Sequence, residues 1–572
     1  MPLRVSHGGR AVALAAALVA PFTVSTQQPG KSVPAQKPLE AEQRPAVRVT
    51  TRLVQLHVVV HTYREEPVRG LKKEDFVVFD EGQPQEIAQF SEESSEARRP
   101  AAATAETAPA ATNLFSNRVE QRTGAPPTVT VILMDELNTQ FNDKVYAKDQ
   151  VVKFLQQVQP NDRIALYVLR NDIRVLHEFT SDATRLLKAL ERHRSGHSSK
   201  LEASEPEPAD TGDQQIDNWL NTANERMSDF FTRNRVNITV AAMQGIARHL
   251  ARIPGRKNLV WVSSSFPINI GLERERGPGN MSPNTESFQS EVSKASRALN
   301  EANIAIYPVD ARGLVSWSGP LIRMNPSGRP IAGPGAMAAN SLYYTQSTMI
   351  LLAENTGGRA FRNTNDIKGS IRKAVDDSRV TYVLGFYPRH EKWDGRYRAL
   401  KVRVNRKGET RVRHRRGYYA TTEAPFGPEQ RKAALAEAAV SPLEAGSIGL
   451  TARVEPVIAA GVRTALIELR LESKDVSLQN TDGTWRGSVD LYILQRIADG
   501  RVAGFWHHTL NLNVADAARP QLARDGIVAS KHLPVAPEAT ELRIVVRDNS
   551  TALLGSVIVP LGNVFPAAGK TE

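Results

Sequence analysis

The 572-residue sequence contains no cysteine. This absence excludes disulfide bonds, thiolate metal ligands, thiol nucleophiles and the residue to which a lipoprotein anchor is attached. Beyond its amino terminus the sequence also lacks any apolar run near the ~18 residues that a membrane helix needs. Stability must therefore come from ordinary hydrophobic cores, and the hydrophobic fraction of 41% is typical of folded domains. At this length we expect several domains of roughly 100–200 residues each.

The amino terminus has the pattern of an export signal. Basic Arg4 and Arg10 precede the apolar run 11–20, and Pro21 ends that run. A charged segment followed by about ten apolar residues is typical of a secretory signal peptide. We therefore predict a signal peptide over residues 1–26, a secreted, periplasmic or cell-envelope location, and no transmembrane helix after cleavage. A buried core helix is the alternative.

The rest of the chain divides by composition and by the period of its apolar residues. A period of two predicts strands, stretches rich in Ala, Thr, Glu and Pro predict linkers, and alternating strands and helices predict a parallel sheet. The predicted units are a linker at 27–46, a β unit at 47–91, a disordered linker at 92–127, an α/β domain at 128–378, a β meander at 379–420, a linker with a helix at 421–446 and a β domain at 447–572. Because neither small β segment can form a secure core alone, we expect 47–91 to pack with 380–420.

Inside the α/β domain, an apolar strand at 129–134 leads directly into Asp135. Helices are expected at 216–231 and, separately, at 239–252. Ligands of α/β sheets bind beyond the carboxyl ends of the strands. We therefore expect loops 135–142, 263–285 and 313–340 to form the functional face of this domain.

Several short motifs follow one another between about 47 and 420. They are Gly70-Leu71-x3-Asp75-Phe76, Asp80-Glu81-Gly82, Phe179-Thr180-Ser181-Asp182, Pro254-Gly255-Arg256-Lys257-Asn258 with Trp261, Thr356-Gly357-Gly358-Arg359, Tyr382-x-Leu384-Gly385 and Arg416-Gly417-Tyr418. In content and order they resemble the motifs of the von Willebrand factor A-related proteins found mainly in acidobacteria. The carboxy-terminal domain adds only Val546-Arg547-Asp548 and Gly555. The resemblance implies a Rossmann-like von Willebrand factor A-type domain with a parallel sheet, flanked by β-sandwich-like modules.

The resemblance also implies a metal site. In such domains a loop of the form Asp-x-Ser-x-Ser, a later Thr and a later Asp hold a divalent ion. Asp135 takes the first position, Thr139 the second hydroxyl, Thr239 the later Thr and Ser264 the later Asp. Leu137 falls where the first Ser is expected, and an aliphatic chain cannot ligate. Magnesium prefers several hard oxygen ligands, so this metal-ion-dependent adhesion site is degenerate.

Two interpretations of the degenerate site remain open. Mg²⁺ is the one cofactor that it would bind, with Asp310, at the end of another strand, as a further candidate ligand. Alternatively, no cofactor binds, and the site is a polar cleft in which Asp135 caps neighbouring backbone amides.

Motifs of enzymes are absent from the sequence. It has no Cys nucleophile, no Gly-x-Ser-x-Gly elbow, no phosphate-binding loop and no His-Glu-x-x-His. His57 and His61 lie on one face of a strand, and we interpret them as core or edge residues. His193 and His197 flank Gly196 in a polar loop and are interpreted as solvated. We therefore assign no catalytic residue and no small-molecule substrate.

These observations predict a secreted or periplasmic, non-catalytic protein-interaction protein, although no partner-binding residue can be singled out. One alternative is a structural scaffold of the cell envelope. The other is a polyanion-binding protein, because the formal charge is +12 and Arg411–Arg416 is the densest basic cluster. Nucleic acid is not the expected partner, since the alternation at the start of that cluster is typical of a solvated strand face.

Overall fold

The computed structural model describes residues 53–94, 113–117, 129–205, 209, 211–251, 253, 255–264, 266, 269–270, 286–315, 322–324, 330–332, 334–390, 393–406, 408–421, 428–459 and 462–565. All of them belong to one compact unit, Thr51–Glu572. The predicted signal peptide 1–26 and linker 27–46 lie outside the described residues. In the ranges given above, no helix is both long and apolar enough to span a membrane.

The first elements of the described residues are four strands and a fifth that stands apart in sequence. They are β1 (Val54–Thr62), β2 (Phe76–Asp80), β3 (Gln83–Gln85), β4 (Ile87–Ser94) and β5 (Leu114–Ser116). Glu81 and Gly82 connect β2 to β3 with φ of 48° and 79°, as a two-residue type I′ turn requires. The disordered linker predicted at 92–127 is corrected in two places, because β4 continues to Ser94 and β5 is a paired strand. The three residues of β5 are too few for their period to be read.

The α/β domain follows. Its strands are β6 (Val129–Asp135), β7 (Ile164–Leu169), β8 (Ile173–Thr180), β9 (Lys257–Ser263), β10 (Asn269–Ile270), β11 (Glu286–Ser287), β12 (Ile304–Asp310), β13 (Ile322–Met324) and β14 (Pro330–Ala332). Its helices are α1 (Phe141–Leu155), α2 (Ala183–Arg192), α3 (Ser199–Ser204), α4 (Gln214–Leu250), α5 (Gln289–Glu301), α6 (Pro334–Thr356) and α7 (Ile367–Asp376).

Five of these strands form one sheet in the order β12-β9-β6-β7-β8. All neighbours are parallel except β8, which runs antiparallel to β7 at the edge. Every residue of β6, β7, β9 and β12 is buried, as expected for parallel strands covered on both faces. Helices α4 and α5 cover one face, and α1, α2 and α7 cover the other. The predicted mixed α/β domain with a parallel sheet is confirmed.

Helix α4 differs from the sequence prediction. Separate helices were expected at 216–231 and 239–252, but one helix runs without a break for 37 residues. No residue of α4 before Thr232 is buried, whereas many after it are. The segment between the two predicted helices buries polar Thr232 and Arg235. An apolar period therefore could not reveal it.

The β meander comprises β15 (Val380–Phe386), β16 (Asp394–Val404), β17 (Thr410–Arg413) and β18 (Gly417–Thr421). It forms two four-stranded sheets with the first strands, in the orders β17-β1-β15-β4 and β18-β16-β2-β3. Side chains of both sheets share one core, which includes Leu56, Phe76, Tyr382 and Val402. Strands from the two distant segments therefore lie in a single β module.

The remaining elements are α8 (Pro428–Val440), β19 (Leu450–Ala459), β20 (Val462–Leu471), β21 (Gln479–Thr481), β22 (Thr484–Arg496), β23 (Val502–Ala515), α9 (Arg519–Asp525), β24 (Ile527–Pro534), β25 (Glu541–Asp548), β26 (Leu554–Pro560) and α10 (Leu561–Val564). One sheet has the order β24-β20-β19-β5, so β5 completes it. The other has the order β21-β22-β25-β26, with β23 also paired to β22. Residues of both sheets meet in one core, and α8 packs on the second sheet through Leu435 and Ala439.

Candidate functional site

The candidate site lies where the strand order of the large sheet reverses. Strand β6 is central, with β7 on one side and β9 on the other. In open α/β sheets this switch point is where ligands bind, beyond the carboxyl ends of the strands. Asp135 is the last residue of β6, and Ser263 is the last residue of β9.

The Asp135 carboxylate accepts five hydrogen bonds from its own domain. Oδ1 accepts from the backbone amides of Leu137 at 3.1 Å and Asn138 at 3.0 Å. Oδ2 accepts from Asn138 Nδ2 at 2.8 Å and from Trp261 Nε1 at 3.0 Å. Ser263 Oγ donates the fifth bond, at 2.9 Å. The lone pairs of both oxygens are thus occupied by donors.

The environment of Asp135 acts on its charge in two directions. Burial raises the pKa of the carboxyl above its ordinary value, because the charged form has lost its water. The hydrogen bonds from Asn138, Ser263 and Trp261 oppose that rise by stabilising the anion. Asp135 is therefore a buried carboxylate held by the fold.

The other three predicted ligands, Thr239, Thr139 and Ser264, are each engaged in hydrogen bonds. Thr239 Oγ1 accepts from Asn138 Nδ2 at 2.8 Å and donates to Arg235 O at 2.9 Å. Thr139 Oγ1 accepts from the amide of Ser264 at 3.2 Å. Ser264 Oγ donates to the Asp143 carboxylate at 2.9 Å. Asp135 and Thr239 are therefore linked through an amide, while Thr139 and Ser264 form a second group with Asp143.

Asn138 and Arg235, which no sequence motif singled out, also belong to this site. Asn138 bonds Asp135, Thr239 and, through Oδ1 at 3.2 Å, Arg235 Nη1. Arg235 is 4% exposed, and burial lowers its pKa while the charge of Asp135 opposes that shift. The guanidinium thus supplies positive charge near the buried carboxylate. An Asn three residues after the strand-end Asp was the only signal in the sequence.

Together these contacts do not fit a divalent ion. A metal at Asp135 would have to replace donors such as Trp261 Nε1 and Asn138 Nδ2, which cannot ligate. Leu137, 2% exposed, packs in the hydrophobic core instead of offering a hydroxyl. Among the described residues there is no group of three or more His, Asp or Glu side chains that could hold a metal. The donor set matches a hydrogen-bonded carboxylate better than a magnesium shell.

Asp310, the further candidate ligand, is also engaged. Arg312 Nε and Nη2 donate to its two oxygens, each at 2.9 Å, and Gln346 Nε2 donates at 3.0 Å. A bidentate guanidinium is a strong partner for a carboxylate. Asp310 therefore lies in an ion pair of its own.

A second ionic group lies beside Asp135. Glu136 contacts His193 Nε2 at 2.7 Å and Arg170 Nε at 2.6 Å. Although burial opposes the change, hydrogen bonds from His193, Ser195 and Arg170 lower the pKa of Glu136 to about 2. The interpretation of His193 as solvated is wrong, because only 9% of its side chain is exposed. His197 has 68% exposure and is solvated as expected.

The Arg411–Arg416 cluster is occupied by acidic partners. Arg411 lies 3.7 Å from Glu65, Arg416 lies 2.7 Å from Glu354, and Arg413 pairs with Asp377. Arg415 donates to the carbonyl of Gln55 at 2.8 Å. Arg413 and Arg416 thus hold the β module against the α/β domain, while Arg411 and Arg415 bind residues of the β module itself. These contacts limit the freedom of the cluster to meet a polyanion.

His57 and His61 lie at the same junction. Burial, with the charges of Arg256, Lys257 and Arg415, lowers the pKa of His57 to about 3. Burial also lowers the pKa of His61, which lies 3.7 Å from Asp377. Both are histidines of a buried module junction.

No family model and no curated protein sequence matches the chain. Similar solved structures include an aerotolerance-related membrane protein from Bacteroides fragilis, 14% identical, covering 44% of this chain and 98% of its own, with a TM-score of 0.24. The SpRpn10 VWA domain is 11% identical and covers 43% and 94%, with a TM-score of 0.20. The ArnB paralog VWA2 from Sulfolobus acidocaldarius is 9% identical and covers 52% and 66%, with a TM-score of 0.21. Scores this low carry little weight, so the architecture rests on the strand order and direction given above.

Proposed function

We propose that this chain is a secreted or periplasmic, non-catalytic protein-interaction protein of the acidobacterial von Willebrand factor A-related type. Its A-type domain keeps the switch-point geometry, while a hydrogen-bond network takes the place of the metal. The observation that carries the proposal is the saturation of Asp135 by five internal donors. Because the Asp135 carboxylate is already hydrogen-bonded within the fold, it is free neither to ligate a metal nor to act as a base. The domain therefore acts through its surface.

The surface that fits this role is the amino-terminal half of α4. Thr239, at the site, lies on the same helix, and the preceding residues continue past the buried part of the domain. Ile216, Trp219, Met227 and Phe230 are 49%, 70%, 45% and 59% exposed. Large apolar side chains grouped on a surface mark interaction sites. We call Ile216, Trp219, Ala223, Met227 and Phe230 the α4 stripe.

Site-specific photo-cross-linking of the exported full chain tests the proposal. A photoreactive residue at Trp219 is expected to give a discrete protein adduct, because the α4 stripe faces a partner. The matched control is Glu225, which is exposed on the opposite side of the same helix. Equal labelling from both positions, or none, would instead favour the envelope-scaffold function, in which the domain only holds other parts in place.

A second candidate function, binding of an anionic partner, is favoured by a basic groove of about 530 Å³. Its floor is the edge strand β8, with Arg174 and His177, and its wall is one face of α2. That face carries Arg185, Lys188 and Arg192, spaced so that they lie together. Within the part of the chain that the structure describes, Lys188 and Arg192 form no ion pair. Retention on heparin should fall in Lys188→Glu/Arg192→Glu and persist in Arg411→Glu; equal loss in both would refute this site.

A further inference from the structure

The α4 stripe is symmetric about its central residue. Trp219 and Met227 lie four residues on either side of Ala223, and Ile216 and Phe230 lie seven residues on either side. At 100° per residue, these five positions fall within about 40° of Ala223 around the helix. A small residue is therefore flanked by two pairs of large apolar residues along roughly 21 Å of helix.

The stripe is separate from the part of α4 that its own chain covers. Ser228 Oγ donates to the carbonyl of Ser204 at 2.6 Å, and Asn221 Oδ1 accepts from the amide of Ala209 at 2.8 Å. These two contacts lie about 140–160° around the helix from Ala223. The segment around α3 therefore packs on another face and leaves the stripe outward.

From this pattern we infer that the stripe binds the same stripe of a second copy of the chain, as an antiparallel helix pair. The inference rests on the proposed function and names the partner of the same surface. With a two-fold axis at Ala223, residue n of one copy lies opposite residue 446 − n of the other. Phe230 then meets Ile216 of the second copy, Met227 meets Trp219, and Ala223 meets itself.

The chemistry of each contact supports this arrangement. Sulfur against an aromatic ring is favourable, which suits Met227 against Trp219. Arg226 lies on the same flank as Trp219 of the second copy and can cover its ring. In a parallel pair, by contrast, Arg226 would take a heptad core position together with Ile216 and Trp219. It would then face Arg226 of the second copy. Like charges there would repel, so the antiparallel arrangement is favoured.

The size of the contact sets the expected affinity. A helix pair of about four turns buries less than the roughly 1,200–2,000 Å² of stable interfaces. The dimer should therefore be reversible, with a dissociation constant in the micromolar range or higher. Sedimentation velocity of the full chain from about 1 to 200 µM should show a monomer–dimer equilibrium.

The absence of cysteine makes cross-linking a clean test. At an interaxial distance of about 9–10 Å, within the range of packed helices, the facing Cα atoms lie roughly 4.4–5.4 Å apart, because each lies about 2.3 Å from its helix axis. That spacing suits a disulfide. Ala223→Cys should form a covalent dimer under mild oxidation, while Glu225→Cys, exposed on the opposite side, should stay monomeric. Ala223→Glu should abolish the equilibrium dimer without changing the urea midpoint, because Ala223 is exposed in the monomer.

The outcomes separate this inference from the proposed function. A concentration-dependent dimer with disulfide formation at position 223 and not at 225 supports it. A monomer at every concentration, or equal oxidation of both variants, overturns it. If Trp219 then still gives an adduct with a different protein, the stripe binds another partner and the proposed function stands. If it gives none, both proposals fail.

Discussion

Replacing Asp135 with asparagine distinguishes a structural carboxylate from a metal ligand. Asparagine has nearly the same shape, and its Oδ1 can accept from the amides of Leu137 and Asn138. Its Nδ2 must then face the three donors that Oδ2 now accepts from. The Ser263 hydroxyl can rotate away, and one Asn138 Nδ2 hydrogen keeps its bond to Thr239 Oγ1. Trp261 Nε1 and the other Asn138 Nδ2 hydrogen lose their acceptor. Each buried donor left without a partner costs about 1–3 kcal/mol.

The expected loss in the free energy of unfolding is about 2–4 kcal/mol. Two donors without partners would together cost about 2–6 kcal/mol. We expect the lower part of this range, because the substitution also removes a buried carboxylate whose charged form is disfavoured by burial, as its raised pKa shows. Urea unfolding of the wild type and Asp135→Asn, each with EDTA and with 10 mM Mg²⁺, measures it. We expect the same loss in both buffers. A neutral or stabilising effect in EDTA, with a loss only in Mg²⁺, would refute the reasoning, because a bound ion stabilises only the protein that binds it.

Three further predictions concern residues around the site and the module junction. Glu136→Gln should lower the free energy of unfolding by about 3 kcal/mol at pH 7, because the pKa of Glu136 is lowered from 4.5 to about 2. Urea unfolding should show that the difference from wild type shrinks as pH falls from 4.5 towards 2. A difference that stays constant over this range would contradict the prediction. The pKa of His57 is lowered to about 3, so the folded state resists protonation of this side chain. The free energy of unfolding of the wild type should therefore fall by about 1 kcal/mol per pH unit below pH 6.5, and His57→Gln should give a flatter pH profile. Parallel profiles for the two proteins would show that His57 does not cause this loss. In Gly358→Ala the new Cβ would lie 1.9 Å from the carbonyl oxygen of Ile306, so thermal unfolding should show a free energy of unfolding lower by more than about 2 kcal/mol. The control Gly562→Ala, whose Cβ would have no heavy atom within 4 Å, should be near neutral.

The regular part of the fold could be predicted because its residues follow simple periods. Every residue of strands β6 and β9 is buried and most are apolar, as in central parallel strands, and the end of β6 was predicted to within one residue. A helix was predicted within 421–446, and α8 occupies Pro428–Val440 of that segment. Strands β24 and β26 have no such clear period: β24 alternates weakly around Lys531 and His532, and β26 contains Gly555 and Ser556.

The centre of the candidate site could not be predicted, because polar residues there replace the expected apolar ones. Arg235 is buried and bonds Asn138, so the middle of α4 has no apolar stripe that would mark it as helix. The role of Asn138 depends on Arg235 and Thr239, which lie 97 and 101 residues further along the chain. Trp261 was found only as a motif residue, and its bond to Asp135 follows from β6 and β9 being neighbours. Such contacts depend on the assembled sheet.

Calorimetric titration of the full chain with Mg²⁺ and Mn²⁺ tests the central claim most directly. Because the oxygens of Asp135 are taken by five internal donors, we predict no binding heat at millimolar metal, and the same flat titration for Asp135→Asn. Saturable binding by the wild type that Asp135→Asn abolishes would contradict the account.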